Sequence, residues 1–343
     1  MSRVDVYQTH LDRVSRSFAL CISRLEAPLR QWVGLTYLMC RILDTIEDAS
    51  WGDKLSQQKA FDQFDRLIQS PAELSAVSWW VESFPKSIPE GERLLLKEAQ
   101  VLLEDLHQAP PHIKVPIQEL VQTMSAGMRE FVNSKSKGTI RLKGLREVNQ
   151  YCFFVAGIVG ETLSKLLNAV DAKLKITRPL IVDAHHFGLF LQKVNLLKDQ
   201  MGDEKEGRFL VPSREETFLS LKENAEGAMR YIEALPVEQK SYRVFCLWSL
   251  FLGLRTLPLL KMQNSELAPN KIPREETLET FKQIEDFSSE SAMIRSAFED
   301  LIAKVFTPGI DVKTEGMSDL DWTPKFYSGL LKPEDFRCLN MAN

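Results

Sequence analysis

Apolar positions recur three and four residues apart along nearly the whole chain, and no convincing series of alternating β-branched positions interrupts them. The pattern predicts an all-α protein. Residues 3–26 read as a helix interrupted at Ser15-Arg16-Ser17-Phe18, and Pro28 opens a second helix that Trp51-Gly52-Asp53 ends. Further helices are predicted over 54–69, around Trp79-Trp80, over Glu90–His107, Ile113–Asn133 and Leu145–Leu167, from Pro179 to Gly202, over 214–235 and 239–263, and from Glu275 to Val305. Gly157 and Gly160 would let their helix approach a neighbour closely. Ser134-Lys135-Ser136-Lys137-Gly138 reads as a solvated basic loop, Asp203 to Ser213 as a loop, and Asn264 to Pro273 as a linker. The expected organisation is one helical bundle around an apolar cavity over residues 1–306, followed by an irregular, partly mobile tail over 307–343.

One helix departs from the simple pattern. Tyr37, Arg41, Asp44 and Asp48, spaced four, three and four apart, share one stripe surrounded by Leu35, Leu38, Met39, Ile42, Leu43 and Ile46. A polar line cut into so apolar a helix is costly to bury unless its groups find partners. A second stripe echoes it: Gln192, Asn195, Asp199 and Asp203 at spacings of three, four and four, flanked by Phe187, Leu189, Phe190, Leu191, Val194, Leu196 and Leu197.

Composition changes this picture little. The 343 residues are 44% hydrophobic and 26% charged, ordinary globular values, and the net charge of −4 gives no electrostatic reason to expect nucleic acid. Five widely spaced cysteines form neither a zinc pattern nor a disulfide framework and fit a reducing compartment. The N-terminus lacks the apolar core of a secretory signal. Val244 to Leu260 approaches the length of a short membrane span, but Arg255 and Pro258 interrupt it, so a buried helix is expected.

A single DxxxD on a helix is usually a solvated face. Two of them, each with polar residues in phase and apolar flanks, suggest opposed carboxylate walls. Mg²⁺ commonly joins carboxylates to substrate phosphates, and such ions assist loss of a diphosphate. A di-iron bundle would instead require duplicated Glu-x-x-His pairs, and Asp183 with His186 is the nearest approach.

Ser15-Arg16-Ser17-Phe18, Tyr37-x-x-x-Arg41-x-x-Asp44-Thr45-Ile46-Glu47-Asp48, the run Tyr151 to Gly160 (YCFFVAGIVG) and the run Gly188 to Asn195 (GLFLQKVN) occur in an order that resembles the squalene/phytoene synthase family over about residues 10–260. The details favour the squalene branch. The resemblance implies an isoprenoid-synthase-type bundle that joins two farnesyl diphosphates head to head through presqualene diphosphate with Mg²⁺. NADPH then reduces that intermediate to squalene.

Carried over by position, the resemblance makes Asp44, Asp48, Asp199 and Asp203 metal ligands. Arg41 and Arg208 become phosphate contacts, and Ser15, Arg16, Ser17 and Phe18 a flap over the diphosphate. Tyr151 is implied in proton transfer, with Tyr37 orienting phosphate or assisting the base. Gln192 and Asn195 line the second metal site, and Phe245 lines the substrate pocket. Lys198 and Gly202 stand where Arg and Glu are usual, and Phe209-Leu210 lacks the usual Phe-Trp-Pro. Phe245-Cys246-Leu247-Trp248-Ser249-Leu250 lacks the expected Pro and Gln, which leaves the NADPH step less supported. Products short of squalene (presqualene diphosphate, hydroxysqualene, dehydrosqualene, phytoene) and an inactive binding factor remain alternatives. A cytoplasmic monomer without signal peptide or C-terminal anchor, in transient contact with a membrane surface, is the corresponding expectation.

Overall fold

A computed structural model describes residues 3–134, 139–263, 271–307 and 323–341, with the side chains of Arg16, Phe287, Thr323 and Pro324 left aside. The basic loop expected at 135–138 lies outside the described residues, as does most of the 264–273 linker. The chain divides into two compact units, Met1–Val132 with Lys165–Ala172, and Asn133–Ser164 with Lys173–Asn343.

The first unit holds α1 (Arg3–Val14), α2 (Arg16–Ser23), α3 (Leu29–Asp48), α4 (Lys54–Gln69), α5 (Leu74–Glu82), α6 (Glu90–Lys97), α7 (Ala99–Gln108) and α8 (Pro111–Asn133). The chain breaks at Ser15, as the sequence predicts. The single helix predicted from Glu90 to His107 is two helices meeting at Glu98, where ψ opens to 3°. Glu98 is a good helix former, so packing and not propensity sets that break. Packing on α3 organises the unit: Leu35, Leu38, Met39, Ile42, Leu43 and Ile46 are all fully buried. Gln57 of α4 donates to the carbonyls of Ile46 and Glu47 at 2.9 and 3.0 Å, and Trp51 Nε1 donates to Ile46 at 2.8 Å. These bonds satisfy the last carbonyls of α3, which the helix itself leaves open, and fix the end that carries Asp48.

The second unit holds β1 (Ile140–Arg141), α9 (Leu145–Cys152), a π-helical turn (Phe153–Gly157), most of α10 (Ile158–Val170), α11 (Arg178–Lys205), β2 (Arg208–Phe209), α12 (Arg214–Ala234), α13 (Lys240–Met262), α14 (Arg274–Phe287), α15 (Ser291–Val305), α16 (Thr323–Phe326) and α17 (Pro333–Cys338). The helix predicted over Leu145–Leu167 thus contains a wide turn. Its glycines do what their spacing suggests. A Cβ at Gly160 would strike the backbone of Ala184, and one at Gly188 would lie 2.6 Å from the Gly157 Cα. The absence of side chains lets α11 press directly on the π turn. Two corrections follow from the loops and tail. The segment after Asp203 is not all loop, because β2 pairs in parallel with β1. The tail is not irregular throughout either: α16 and α17 form, and Leu331, Phe336, Leu339 and Met341 are buried.

Two helical runs, Leu145–Val170 and Lys240–Met262, are apolar and long enough to cross a membrane by length and composition. Two-thirds of the most apolar window of α13 is buried inside the protein (67%), which is how a core helix behaves. The α15 break is a further correction. Glu275–Val305 is two helices separated between Phe287 and Ser291.

Candidate active site

In the first unit the flap residues and the α3 stripe meet. Ser15 occupies the position that caps α2, yet its hydroxyl makes no cap bond. It is hydrogen bonded to Tyr37 instead, and Phe18 packs its ring 5.9 Å from the Tyr37 ring. A cap bond forgone at a serine costs a helix about 1 kcal/mol, so the Ser15–Tyr37 contact fixes the flap against α3 at some expense. Burial pushes the Tyr37 phenol up to about 12, with the Ser15 bond and Arg41 opposing it. Tyr37 is therefore a neutral donor at physiological pH.

Arg41 is held by carboxylates. Its Nη2 donates to Glu92 Oε1 of α6 at 2.5 Å, and its Nη1 lies 3.7 Å from Asp44 Oδ2. Burial lowers its proton affinity, but Asp44 and Glu92 more than restore it. The Arg41 Nε is buried without a hydrogen-bond partner among the described residues. Glu92 is a buried carboxylate that sequence reading missed, because one acidic residue in a short amphipathic helix carries no local signal. Asp44 is about one-third exposed and Asp48 exposed, so both carboxylates reach solvent toward the end of α3. No basic residue lies in the last turn of that helix.

The second unit builds a similar arrangement on α11. Asp199 is exposed, while Gln192, Asn195 and Asp203 are partly covered. Lys198 Nζ donates to Asn195 Oδ1 at 3.0 Å and lies 3.4 Å from Asp199 Oδ2, so the lysine that replaces the usual arginine serves this carboxylate wall. Arg208 connects the wall to the π-turn helix. Its Nε is 3.8 Å from Asp203 Oδ1, and its Nη2 donates to the Tyr151 hydroxyl at 3.3 Å. Arg214, also missed in the sequence, clamps α11 on either side of Asp199. Its two terminal nitrogens donate to Leu197 O, Gln200 Oε1, Leu260 O and Gln263 Oε1 at 2.8–3.1 Å. Lys198, Asp199, Gly202, Asp203, Glu206 and Gln263 line a depression in the surface there. Phe245 is buried on α13 with its ring 5.7 Å from that of Tyr242.

Both aspartate pairs lie toward the C-terminal ends of long helices, with Asp48 and Asp203 in the last turn, where the helix dipole presents negative charge. The effect falls off within the last turn, so it reaches Asp48 and Asp203, each disfavoured by about 0.3–1 kcal/mol relative to a neutral residue unless a cation answers it, and bears little on Asp44 and Asp199. The two aspartates arranged this way in each unit belong to the stripes that the spacing of the sequence picks out.

The family model for squalene/phytoene synthase matches residues 11–225, well over half of the chain. The chain belongs to the squalene/phytoene synthase family. Among curated members, the squalene synthase of Mycosarcoma maydis is 31% identical over 233 residues, 66% of this chain and 38% of that protein. The Bos taurus squalene synthase is 30% identical over 203 residues, 59% of this chain and 45% of that protein. The matches thus span less than half the length of these relatives. A solved structure of TcSQS with the ligand BPH1237 superposes at a TM-score of 0.73 with 20% identity, covering 90% of this chain and 94% of that one. A dehydrosqualene synthase with ligand gives 0.53 at 18% identity, covering 83% and 96%. Both share the all-α isoprenoid-synthase fold with this member of the squalene/phytoene synthase family.

Proposed function

We propose that the protein is a squalene synthase that condenses two farnesyl diphosphates head to head to presqualene diphosphate and reduces that product to squalene. The observation that carries the reading is the pair of DxxxD faces toward the C-terminal ends of two long helices, each with a cationic side chain beside it. Among the described residues no three His, Cys, Asp or Glu side chains converge on one point. Two hard oxygen donors one helical turn apart suit an ion that completes its shell with water and substrate phosphate, as Mg²⁺ does. Asp44 with Asp48 would hold one such ion and Asp199 with Asp203 another, and when bound these ions would neutralise the departing diphosphate.

The chain's own residues do the rest. The Ser15–Phe18 flap closes on the diphosphate and excludes water, guided by the contact to Tyr37. Arg41 and Arg208 present guanidinium donors to phosphate oxygens. Tyr151, oriented by the Arg208 donor, accepts or relays the proton lost when the cyclopropane closes. NADPH, when bound, would supply the hydride of the second half-reaction. The reaction belongs in the cytoplasm, carried out by a monomer, with transient membrane contact as the hydrocarbon product leaves.

A second reading ends before reduction, and one segment favours it. Trp248 is stacked on Phe281 with ring centroids 3.8 Å apart, and Ser249 donates to the Phe245 carbonyl at 2.9 Å. Both residues are thus committed to helix packing in the stretch where the resemblance leads one to expect Pro and Gln. Incubation with farnesyl diphosphate and Mg²⁺, with and without NADPH, separates the readings by product mass. Squalene formed only with NADPH supports the first, and an NADPH-indifferent product refutes it.

A further inference from the structure

The described tail runs antiparallel along the helix that carries Tyr151. Arg146 Nε donates to the Met341 carbonyl at 2.9 Å. One turn on, Asn149 Nδ2 donates to the carbonyls of Leu339 and Asn340 at 3.2 and 3.4 Å. The Phe153 ring meets those of Phe336 and Tyr327 at 5.7 and 5.3 Å. At the far end, Glu161, buried at 2% exposure, accepts from the Tyr327 hydroxyl and from the Leu330 N–H. Residue numbers in the tail fall as those in the helix rise, so one segment grips α9, the π turn and the start of α10 in sequence.

The gripping residues 146, 149 and 153 are spaced three and four apart and share one face. Tyr151 projects from another, toward Arg208. A π turn widens the helix and is rare, occurring mostly at functional sites, and this one begins two residues after Tyr151. The tail is itself anchored: Arg178 of α11 pairs with Glu334 and Asp335 at 3.0 Å, and Asn340 donates to Glu223 of α12 at 2.9 Å.

We propose that the segment from Tyr327 to Met341 is a splint for the π-turn helix, which makes Tyr327 and Glu161 positioning residues for Tyr151. Its catalytic consequence rests on the function proposed above, but the splint itself does not. Two full-length variants test it. Tyr327→Phe removes the hydroxyl and keeps the ring against Phe153. Gly329→Ala adds a Cβ that would meet the Tyr327 hydroxyl and lie 2.6 Å from Glu161 Oε1. Three readouts apply: turnover of farnesyl diphosphate with Mg²⁺, amide hydrogen exchange, and the fluorine resonance of 3-fluorotyrosine placed at position 151.

The expected result is a kcat about tenfold lower with KM within threefold, about 1.4 kcal/mol in the transition state. Exchange should quicken over 146–161 but not over 29–48, and the fluorine resonance should shift or broaden. Unchanged exchange at 146–161 would overturn the splint. Faster exchange with an unchanged resonance and kcat would overturn the positioning role and leave a stabilising contact only. Should the wild type consume no farnesyl diphosphate, the proposed function fails, while exchange and the resonance still decide the splint. If Gly329→Ala does not fold, Tyr327→Phe, which loses a single oxygen, carries the decision.

Discussion

Replacing Glu92 with glutamine tests whether Arg41 is deliberately held away from Asp44. At an effective dielectric of 20, a carboxylate 2.5 Å from the guanidinium attracts it by about 7 kcal/mol, against about 4 kcal/mol at the 3.7 Å separation from Asp44. Desolvation of the Glu92 side chain, 10% exposed, cancels much of the first figure. A net value of about 1.5–3 kcal/mol is usual for a charge-assisted hydrogen bond. Glutamine keeps an acceptor in place and removes the charge, so Arg41 swings toward Asp44 and competes with any cation there. Asp44 is about one-third exposed, which weakens the new pair to roughly 1 kcal/mol. Mg²⁺ affinity should therefore fall about fivefold to tenfold. The assay is a Mg²⁺ titration of diphosphate release, with calorimetry of Mg²⁺ binding beside it. In an Asp44→Asn background the same change should do nothing. An unaltered Mg²⁺ dependence, or an equal effect in both backgrounds, would refute the reasoning.

Three further predictions concern the second unit. Burial, and then the charges of Lys193, Arg230 and His185, push His186 down to about 3, while its Nδ1 accepts from the Asn224 Nδ2 at 2.9 Å. The unfolded chain then binds the extra proton between pH 6.5 and 3, so stability falls as pH drops through that window, by roughly 2 kcal/mol at pH 5. Urea midpoints at pH 7 and 5 should show this loss shrinking in His186→Gln, and an equal loss in both proteins would contradict it. Gly188→Ala should cost about 1–3 kcal/mol by forcing α11 off the π turn, lowering Tm by several degrees; an unchanged melting curve would mean the two backbones are not in contact. Tyr151→Phe should lower kcat about 100-fold or more with little change in KM, and a kinetic profile like the wild type would remove Tyr151 from the proton transfer.

What the sequence makes legible is whatever repeats at the helical period. The stripe from Tyr37 to Asp48 and its echo from Gln192 to Asp203 can be read because the spacing alone puts their members on one face. The break at Ser15 is legible too, since two serines flank an arginine between apolar runs. Glu92 is not, because its partner Arg41 is 51 residues away and nothing near either residue points to the other. The same is true of the tail, whose carbonyls reach Asn149 across 190 residues. Six residues of short helix after a Pro do not look like a docking element until Phe336 is seen against Phe153. The π turn has no period of its own, and only Gly157 and Gly160 hint that the helix there is unusual. Local order is written locally; the second partner of a long-range contact is not.

The small parallel pair of β1 and β2 bears on chain length. Arg208 is paired with Ile140 and Phe209 with Arg141, and the Arg141 guanidinium sits 3.7 Å from the centre of the Phe209 ring. Only Glu206 and Gly207 separate Arg208 from the end of α11, and Gly207 adopts a φ of 79° that glycine alone takes without strain. Successive side chains on a strand point to opposite sides. Deleting one residue there while the pairing persists would bring Phe209 into the place of Arg208 and turn the guanidinium away from Tyr151. Insertions and deletions are thus tolerated least at this short turn, where a change of one residue exchanges a cation for a ring.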